Sequence, residues 1–80
     1  MMAKVVIYTT PFCPYCAAAK NFLNEKKVAF EEIDVSNDDS MREKLAKRSG
    51  QLTVPQIFAD GRSIGGYDDL VKFYRDGHQL

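Results

Sequence analysis

The chain has no long hydrophobic run, no excess of charge of either sign and few cysteines. Its apolar runs reach only four to five residues, whereas a helix that crosses a bilayer needs about 20, so we expect no membrane partner. Eleven Lys and Arg residues balance eleven Asp and Glu residues, which argues against a basic surface for nucleic acid. Because no apolar stretch of signal-peptide length follows the N-terminus, we expect a cytoplasmic protein.

The length and composition indicate one small folded domain. The 80 residues are too few for two cores, and no linker, repeat or low-complexity segment divides them. Hydrophobic residues at 45% and charged residues at 28% are typical of a globular protein rather than of a disordered one.

The two cysteines, Cys13 and Cys16, lie together in one short segment. Small secreted domains that depend on disulfides carry more cysteines at wider spacing. A disulfide across so short a loop would also constrain the unfolded chain very little. The pair therefore points to chemistry rather than to a structural cross-link.

Hydrophobic periodicity and turn residues predict the element order β-α-β-α-β-β-α. Strands are predicted over 4–9, 29–35, 54–59 and 62–64, and helices over 14–27, 40–48 and 67–77. The first β-α-β unit should be parallel and right-handed, and Asp60-Gly61 predicts an antiparallel hairpin between the last two strands. The expected fold is α/β, with a four-stranded mixed sheet and three helices.

Residue spacing also predicts details of the helices. Ser40 and Glu43 fit a capping box at the start of the second helix. Four residues of the first helix share an apolar face: Cys16, Ala19, Phe22 and Leu23. Its polar residues are predicted on the opposite face: Lys20, Asn24 and Lys27.

The segment Cys13-Pro14-Tyr15-Cys16 lies where the first strand gives way to the first helix. The unpaired N–H groups and partial positive charge of a helix N-terminus favour a thiolate, so Cys13 is predicted to be the attacking cysteine. Cys16 follows one turn later on the packed face, where burial should raise the pKa of its thiol. It is therefore predicted to be the resolving cysteine, and a C-x-x-C pair inside a β-α-β pattern is typical of thioredoxin-like redox proteins.

Two other uses of the cysteine pair fit the sequence less well. A zinc site needs about four ligands, and the one histidine, His78, lies far along the chain in a polar tail. We therefore predict no metal site. A pair of inert buried thiols would leave Pro14 and the strand-to-helix junction unexplained.

Three motifs make the chain similar to the short bacterial glutaredoxins of the dithiol type. They are the Cys-Pro-Tyr-Cys segment at 13–16, Thr-Val-Pro at 53–55 and Gly-Gly-Tyr-Asp-Asp at 65–69, and the similarity runs from residue 5 to about residue 71. The resemblance implies a single glutaredoxin domain over 1–80 with a thioredoxin fold, sheet order 2-1-3-4 and a cis bond before Pro55.

The resemblance also implies an activity. Such a protein is a glutathione-dependent thiol–disulfide oxidoreductase that reduces protein disulfides and glutathione mixed disulfides. Glutathione is its co-substrate, and no bound cofactor or metal is implied. Its expected partners are glutathionylated or disulfide-containing proteins, ribonucleotide reductase among the family's possibilities, and it is expected to act as a monomer.

A glutathione groove is implied by the residues that match the family's groove: Tyr15, Thr53, Val54, Pro55, Gly66, Tyr67 and Asp68. Other roles stay open for three of them. Tyr15 could be an ordinary exposed aromatic residue, Tyr67 a packing residue of the last helix, and Asp68 a helix cap.

Two departures from the family concern the glycine carboxylate of glutathione. Thr10 and Gln51 stand where many relatives have a Lys and an Arg that hold this group. Lys47 and Arg48 are the candidates to replace them.

Two other functions also remain open. One is a carrier of a glutathione-ligated [2Fe–2S] cluster, which Pro14 and Cys16 disfavour. The other is a glutathione-independent electron donor, which the Gly-Gly-x-Asp motif disfavours.

Overall fold

The computed structural model describes residues 4–11, 13–49, 54–78 and 80. Its elements are β1 (Val5–Thr9), α1 (Pro14–Glu25), β2 (Phe30–Asp34), α2 (Asp39–Ser49), β3 (Gln56–Ala59), β4 (Arg62–Gly65) and α3 (Tyr67–Arg75). The predicted order is confirmed, and each element starts and ends within two residues of its expected position. No helix within these ranges combines the length and hydropathy needed to span a membrane.

The four strands form one mixed sheet in the order β2-β1-β3-β4, as the resemblance implies. β1 is parallel to β2, whereas β3 is antiparallel to both β1 and β4. Asp60 and Gly61 both have positive φ, 51° and 83°, as the favoured two-residue hairpin turn requires. Because Val5 pairs with Ala59, this turn lies at the end of the sheet opposite the carboxyl end of β1.

The start of α2 differs from the expectation. Asp38 caps the helix: its carboxylate accepts the backbone N–H of Met41 at 2.9 Å, and its carbonyl accepts that of Arg42 at 3.1 Å. Ser40 lies inside the first turn, so the predicted capping box of Ser40 and Glu43 is wrong. Asp and Ser are about equally good caps, and the run of Ser, Asn and Asp at 36–40 offers several candidates.

Two hydrophobic clusters cover the two faces of the sheet. The larger cluster joins the sheet to α1 and α3 and contains Val5, Ile7, Ala19, Leu23, Ile57 and Leu70. The smaller cluster joins the sheet to α2 and contains Val35, Leu45 and Phe58. A side chain buried in this way contributes about 1.5–3 kcal/mol of stability, and the packing fixes the start of α1 beside the carboxyl end of β1.

Candidate active site

Three chain segments meet beyond the carboxyl end of β1. The start of α1 brings Cys13, whose sulfur lies 3.8 Å from the carbonyl oxygen of Val54. The Val54–Pro55 bond is cis, as the resemblance implies. The start of α3 is equally close, because a Cβ at Gly66 would lie only 3.5 Å from the carbonyl oxygen of Pro55. The second and third family motifs therefore flank the first cysteine.

Cys13 is the N-cap residue of α1. Its backbone is extended, with φ −103° and ψ 109°, and its sulfur accepts the backbone N–H of Cys16 at 3.3 Å. Cys13 is half-buried and lines a cavity at the start of α1, so a reactant can approach it there. An N–H donor and the positive end of a helix are the groups that stabilise negative charge on a cysteine sulfur.

Cys16 lies on the packed face of the same helix and is only 2% exposed. Burial, reinforced by the hydrogen bond to Cys13, raises the pKa of the Cys16 thiol to about 12. Both cysteines are free thiols. The two cysteines therefore differ in burial, with Cys13 half-buried at the helix end and Cys16 buried, while their roles as attacking and resolving cysteine stay predictions.

A groove of about 300 Å³ lies between the starts of α1 and α3 and is lined by Tyr15, Val54, Pro55, Gly66, Tyr67, Asp68 and Asp69. Six of the seven residues that the resemblance assigns to glutathione are therefore brought together. Thr53, the seventh, and Gln51 lie outside the described residues.

Asp68 and Asp69 behave differently at the start of α3. The Asp69 carboxylate accepts the backbone N–H of Gly66 at 3.0 Å, so Asp69 is the capping residue. Asp68 is exposed on the groove, and no hydrogen bond joins its side chain to the described part of the chain. The cap role left open for Asp68 thus belongs to Asp69, whose position three residues after Gly66 is the spacing of a capping box.

Two tyrosine rings form the wall of the groove. Tyr15 is 62% exposed, and its ring centroid lies 6.4 Å from that of Tyr67. Tyr67 also packs the edge of the Phe22 ring at 6.5 Å and 85°. Tyr67 is therefore a packing residue and a groove residue at once.

A second cavity, of about 600 Å³, lies on the β2 side of the cysteines, and its lining includes Thr9, Thr10, Cys13, Cys16, Lys20, Glu32 and Asp34. One oxygen of Glu32 accepts hydrogen bonds from the Lys20 ammonium at 3.0 Å and from the Thr9 hydroxyl at 2.8 Å. Both bonds lower the pKa of Glu32, and the bond from Lys20 has the larger effect.

The side of α1 predicted for Lys20 is wrong, and the reason is geometric. Lys20 lines the same cavity as Cys16 rather than the opposite face, because it follows Cys16 by four residues and such pairs are neighbours on a helix. The i, i+4 spacing was the available signal for this contact, and sequence reasoning missed it.

Arg48 is engaged far from the cysteines. Its guanidinium donates to the carbonyl of Gly61 at 2.9 Å and lies 4.7 Å from the Phe58 ring centroid. Gly61 is in the hairpin turn at the opposite end of the sheet, so Arg48 is not available as a carboxylate anchor. Lys47, which is exposed, remains the candidate.

Comparisons with known proteins agree with this geometry. The family model described as glutaredoxin matches residues 5–64. Glutaredoxin 3 of Escherichia coli strain K12 is 52% identical over 69 residues, which cover 86% of this chain and 83% of that protein.

Solved structures extend the similarity to the fold. The solution structure of a glutaredoxin from Brucella melitensis is 46% identical with a TM-score of 0.83, and the match covers 95% of this chain and 83% of that one. The crystal structure of a buckwheat glutaredoxin–glutathione complex has a TM-score of 0.87 at 28% identity, with 94% of this chain and 71% of that one covered. By its sequence, its thioredoxin fold and its cysteine pair, the chain belongs to the glutaredoxin family.

Proposed function

We propose that Cys13 and Cys16 are the two thiols through which this glutaredoxin, a glutathione-dependent thiol–disulfide oxidoreductase, reduces protein disulfides and glutathione mixed disulfides. The observation that carries the proposal is the asymmetry of the pair. The Cys13 sulfur is accessible and accepts an N–H bond at the start of α1, whereas burial holds the pKa of Cys16 near 12.

In the first step the Cys13 thiolate attacks the glutathione sulfur of a protein–glutathione mixed disulfide. A disulfide forms between Cys13 and glutathione, the bond to the protein sulfur breaks, and the protein thiolate leaves and takes a proton from water. The Cys16 N–H, 3.3 Å from the Cys13 sulfur, stabilises the charge on that sulfur before the attack and when the thiolate is regenerated.

Two routes then regenerate the Cys13 thiolate. A second glutathione thiolate can attack the bound glutathione sulfur and leave as oxidised glutathione. Alternatively, the Cys16 thiolate attacks the Cys13 sulfur, which releases glutathione and leaves an intramolecular disulfide for glutathione to reduce later. The first route needs only Cys13, so the two cysteines should contribute unequally.

The groove beside Cys13 is suited to orient glutathione so that its sulfur is the one attacked. The backbone at Val54 and Pro55 offers hydrogen-bonding groups to an extended peptide. The start of α3 at Gly66 suits the γ-glutamyl carboxylate, and Asp68 can accept from the ammonium group. Tyr15 and Tyr67 close the side of the groove.

The buckwheat complex supports this use of the groove. That glutaredoxin was crystallised in complex with glutathione, and it has the same fold as this chain. Thr53, which precedes Val54 in the same family motif, is assigned to the groove on the resemblance alone.

The glycine end of glutathione should be held more weakly here than in relatives with two cations. Thr10 offers a neutral hydroxyl, and a neutral donor binds a carboxylate less strongly than a charged one. Since Arg48 is engaged with Gly61, Lys47 is the cation best placed in sequence to compensate.

We further propose that the protein acts as a monomer in the cytoplasm on glutathionylated or disulfide-containing proteins. The balanced charge of the chain offers no pronounced field for nucleic acid or an anionic membrane, which is in keeping with proteins and glutathione as the partners. A reductase that forms a disulfide in each turnover, such as ribonucleotide reductase, has the chemistry expected of a substrate. Nothing in the described residues favours the iron–sulfur carrier or the glutathione-independent donor over this function.

The test is turnover with a small glutathione mixed disulfide, coupled through glutathione to glutathione reductase. Cys13→Ser should abolish turnover, whereas Cys16→Ser should retain much of it, because a second glutathione replaces the resolving thiol. Cys16→Ser should nevertheless lose activity on substrates that need both thiols. Full activity of Cys13→Ser on the mixed disulfide would overturn the proposal.

A further inference from the structure

We propose that Lys20 is a positioning residue for the resolving step, in which its ammonium group stabilises the Cys16 thiolate, and that Glu32 opposes it. The inference rests on the proposed function, because the resolving step follows formation of the Cys13–glutathione disulfide. It concerns the cavity on the β2 side of the cysteines, which shares no lining residue with the glutathione groove.

The cavity brings the buried thiol and Lys20 together. Cys16 and Lys20 are neighbours on α1, four residues apart, and both line this cavity. Lys20 is the one cation among the described lining residues, and the carboxylates of Glu32 and Asp34 face it from β2. Cys13 is the remaining titratable group of the lining. The charge of the Cys16 thiolate therefore depends on this small set of groups.

A hydrogen-bond chain holds the ammonium group in place. Thr9 is 2% exposed, and its hydroxyl donates to Glu32 at 2.8 Å. The same Glu32 oxygen accepts from Lys20 at 3.0 Å. The Lys20 side chain is 34% exposed and that of Glu32 is 38% exposed, so the pair is open to solvent and its electrostatic effect should be screened by salt.

The resolving step depends on a group that stabilises the Cys16 thiolate, because the Cys16 thiol is difficult to ionise. Thiolates, not thiols, attack disulfides, and burial raises the pKa of Cys16 to about 12. A hydrogen bond with the Thr10 backbone and, to a smaller extent, the charge of Lys20 act in the opposite direction and lower that pKa. Lys20 is the one of these two groups whose contribution a side-chain substitution can remove.

The chemistry of the step is a balanced thiol–disulfide exchange. The Cys16 thiol gives its proton to water in the open cavity, and its sulfur attacks the Cys13 sulfur. A Cys13–Cys16 disulfide forms as the bond from Cys13 to glutathione breaks, and the glutathione thiolate leaves and is protonated by water. The only oxidant consumed is the mixed disulfide supplied by the first step.

The two charged partners should affect the rate in opposite directions. Removing the charge of Lys20 should raise the pKa of the Cys16 thiol and lower the thiolate population by at most about tenfold, because Lys20 is the smallest of the influences on that pKa. A thiolate of higher pKa is a better nucleophile, with a Brønsted coefficient of about 0.4–0.5, so the net slowing for Lys20→Gln is at most roughly threefold. Glu32→Gln removes the anion that pairs with Lys20 and should accelerate the step by a smaller factor.

The experiment follows the resolving step directly. Reduced protein is mixed rapidly with oxidised glutathione, and samples are quenched with acid at successive times. Mass spectrometry then distinguishes the glutathione adduct from the intramolecular disulfide. Wild type, Lys20→Gln, Lys20→Arg, Glu32→Gln and the exposed α2 control Lys44→Gln are compared over the pH range in which lysine stays charged.

The expected result is a parallel downward shift of the pH–rate line for Lys20→Gln, an upward shift for Glu32→Gln, and wild-type rates for Lys20→Arg and Lys44→Gln. The differences should shrink with added salt. Equal rates for Lys20→Gln and wild type, or shifts of both cavity variants in one direction, would overturn the inference.

Two further outcomes separate this inference from the proposed function. In a Cys16→Ser background, where no resolving step exists, Lys20→Gln should leave the rate of adduct formation unchanged. A threefold slowing there would assign Lys20 to the first step and overturn the inference alone. Absence of any adduct on Cys13 would contradict the proposed function and the inference together.

Discussion

Asp68 and Asp69 are adjacent carboxylates at the start of α3, and we expect their removal to have different consequences. Asp69 accepts the backbone N–H of Gly66, whereas Asp68 is exposed on the groove beside Tyr67. Asp68→Ala should therefore weaken the binding of the glutathione moiety and leave the stability of the fold unchanged. Asp69→Ala should mainly lower the free energy of unfolding.

The magnitudes follow from the type of bond that each carboxylate makes. A hydrogen bond to a charged group contributes about 1.5–3 kcal/mol, and exposure of Asp68 favours the lower end. At about 1.4 kcal/mol per tenfold, the KM for a glutathionylated substrate should rise roughly tenfold in Asp68→Ala. Loss of the cap in Asp69→Ala should cost about 1 kcal/mol, which lowers the Tm of a domain of this size by roughly 4–8 °C.

The assay is coupled turnover for kcat and KM, with thermal unfolding of the same preparations. The rate at which Cys13 is alkylated serves as the control for its reactivity and should be unchanged in Asp68→Ala. An unchanged KM in Asp68→Ala would refute the groove role. A Tm loss in Asp68→Ala equal to that in Asp69→Ala would show that Asp68 stabilises the helix instead.

Three further substitutions test the geometry around the site. Gly65→Ala should lower the free energy of unfolding by about 1–3 kcal/mol, because Gly65 has φ +116° and a Cβ there would meet the Asp69 carboxylate. A variant as stable as wild type would contradict this. Arg48→Ala should lose about 1 kcal/mol from its hydrogen bond and its contact with the Phe58 ring, with glutathione KM unchanged; a raised KM would return Arg48 to the carboxylate site. Thr10→Lys should lower the KM at low salt by the equivalent of about 0.2–1 kcal/mol, with the gain fading at high salt; no change at low salt would mean that another cation already fills the role.

Local signals in the sequence were sufficient for the order of the elements. The β-branched and aromatic run of β1, the periodicity of α1 and the Asp60-Gly61 turn depend on neighbours within a few residues, and the elements that they predict were confirmed. The cis bond at Pro55 and the meeting of the groove segments followed from motifs shared with a family, because spacing alone does not bring residues 54 and 66 together.

The errors concern contacts between distant segments. Lys20 binds Glu32 of β2, twelve residues away, and Arg48 binds Gly61 of the hairpin turn, thirteen residues away. Helical spacing places Lys20 beside Cys16, but the acceptor that a long cationic side chain reaches depends on which distant segment the fold brings near it. The cap of α2 failed for a different reason, since several residues before it are equally good acceptors.

In the proposed function, Cys13 forms the mixed disulfide with glutathione and Cys16 acts only afterwards. The most direct measurement treats reduced Cys13→Ser and Cys16→Ser with oxidised glutathione and follows the mass of each protein over time. We predict that Cys16→Ser gains one glutathione rapidly, whereas Cys13→Ser, whose remaining thiol is 2% exposed with a pKa near 12, gains it far more slowly. Equal rates in the two variants, or faster uptake by Cys13→Ser, would contradict the assignment of Cys13 as the attacking thiol.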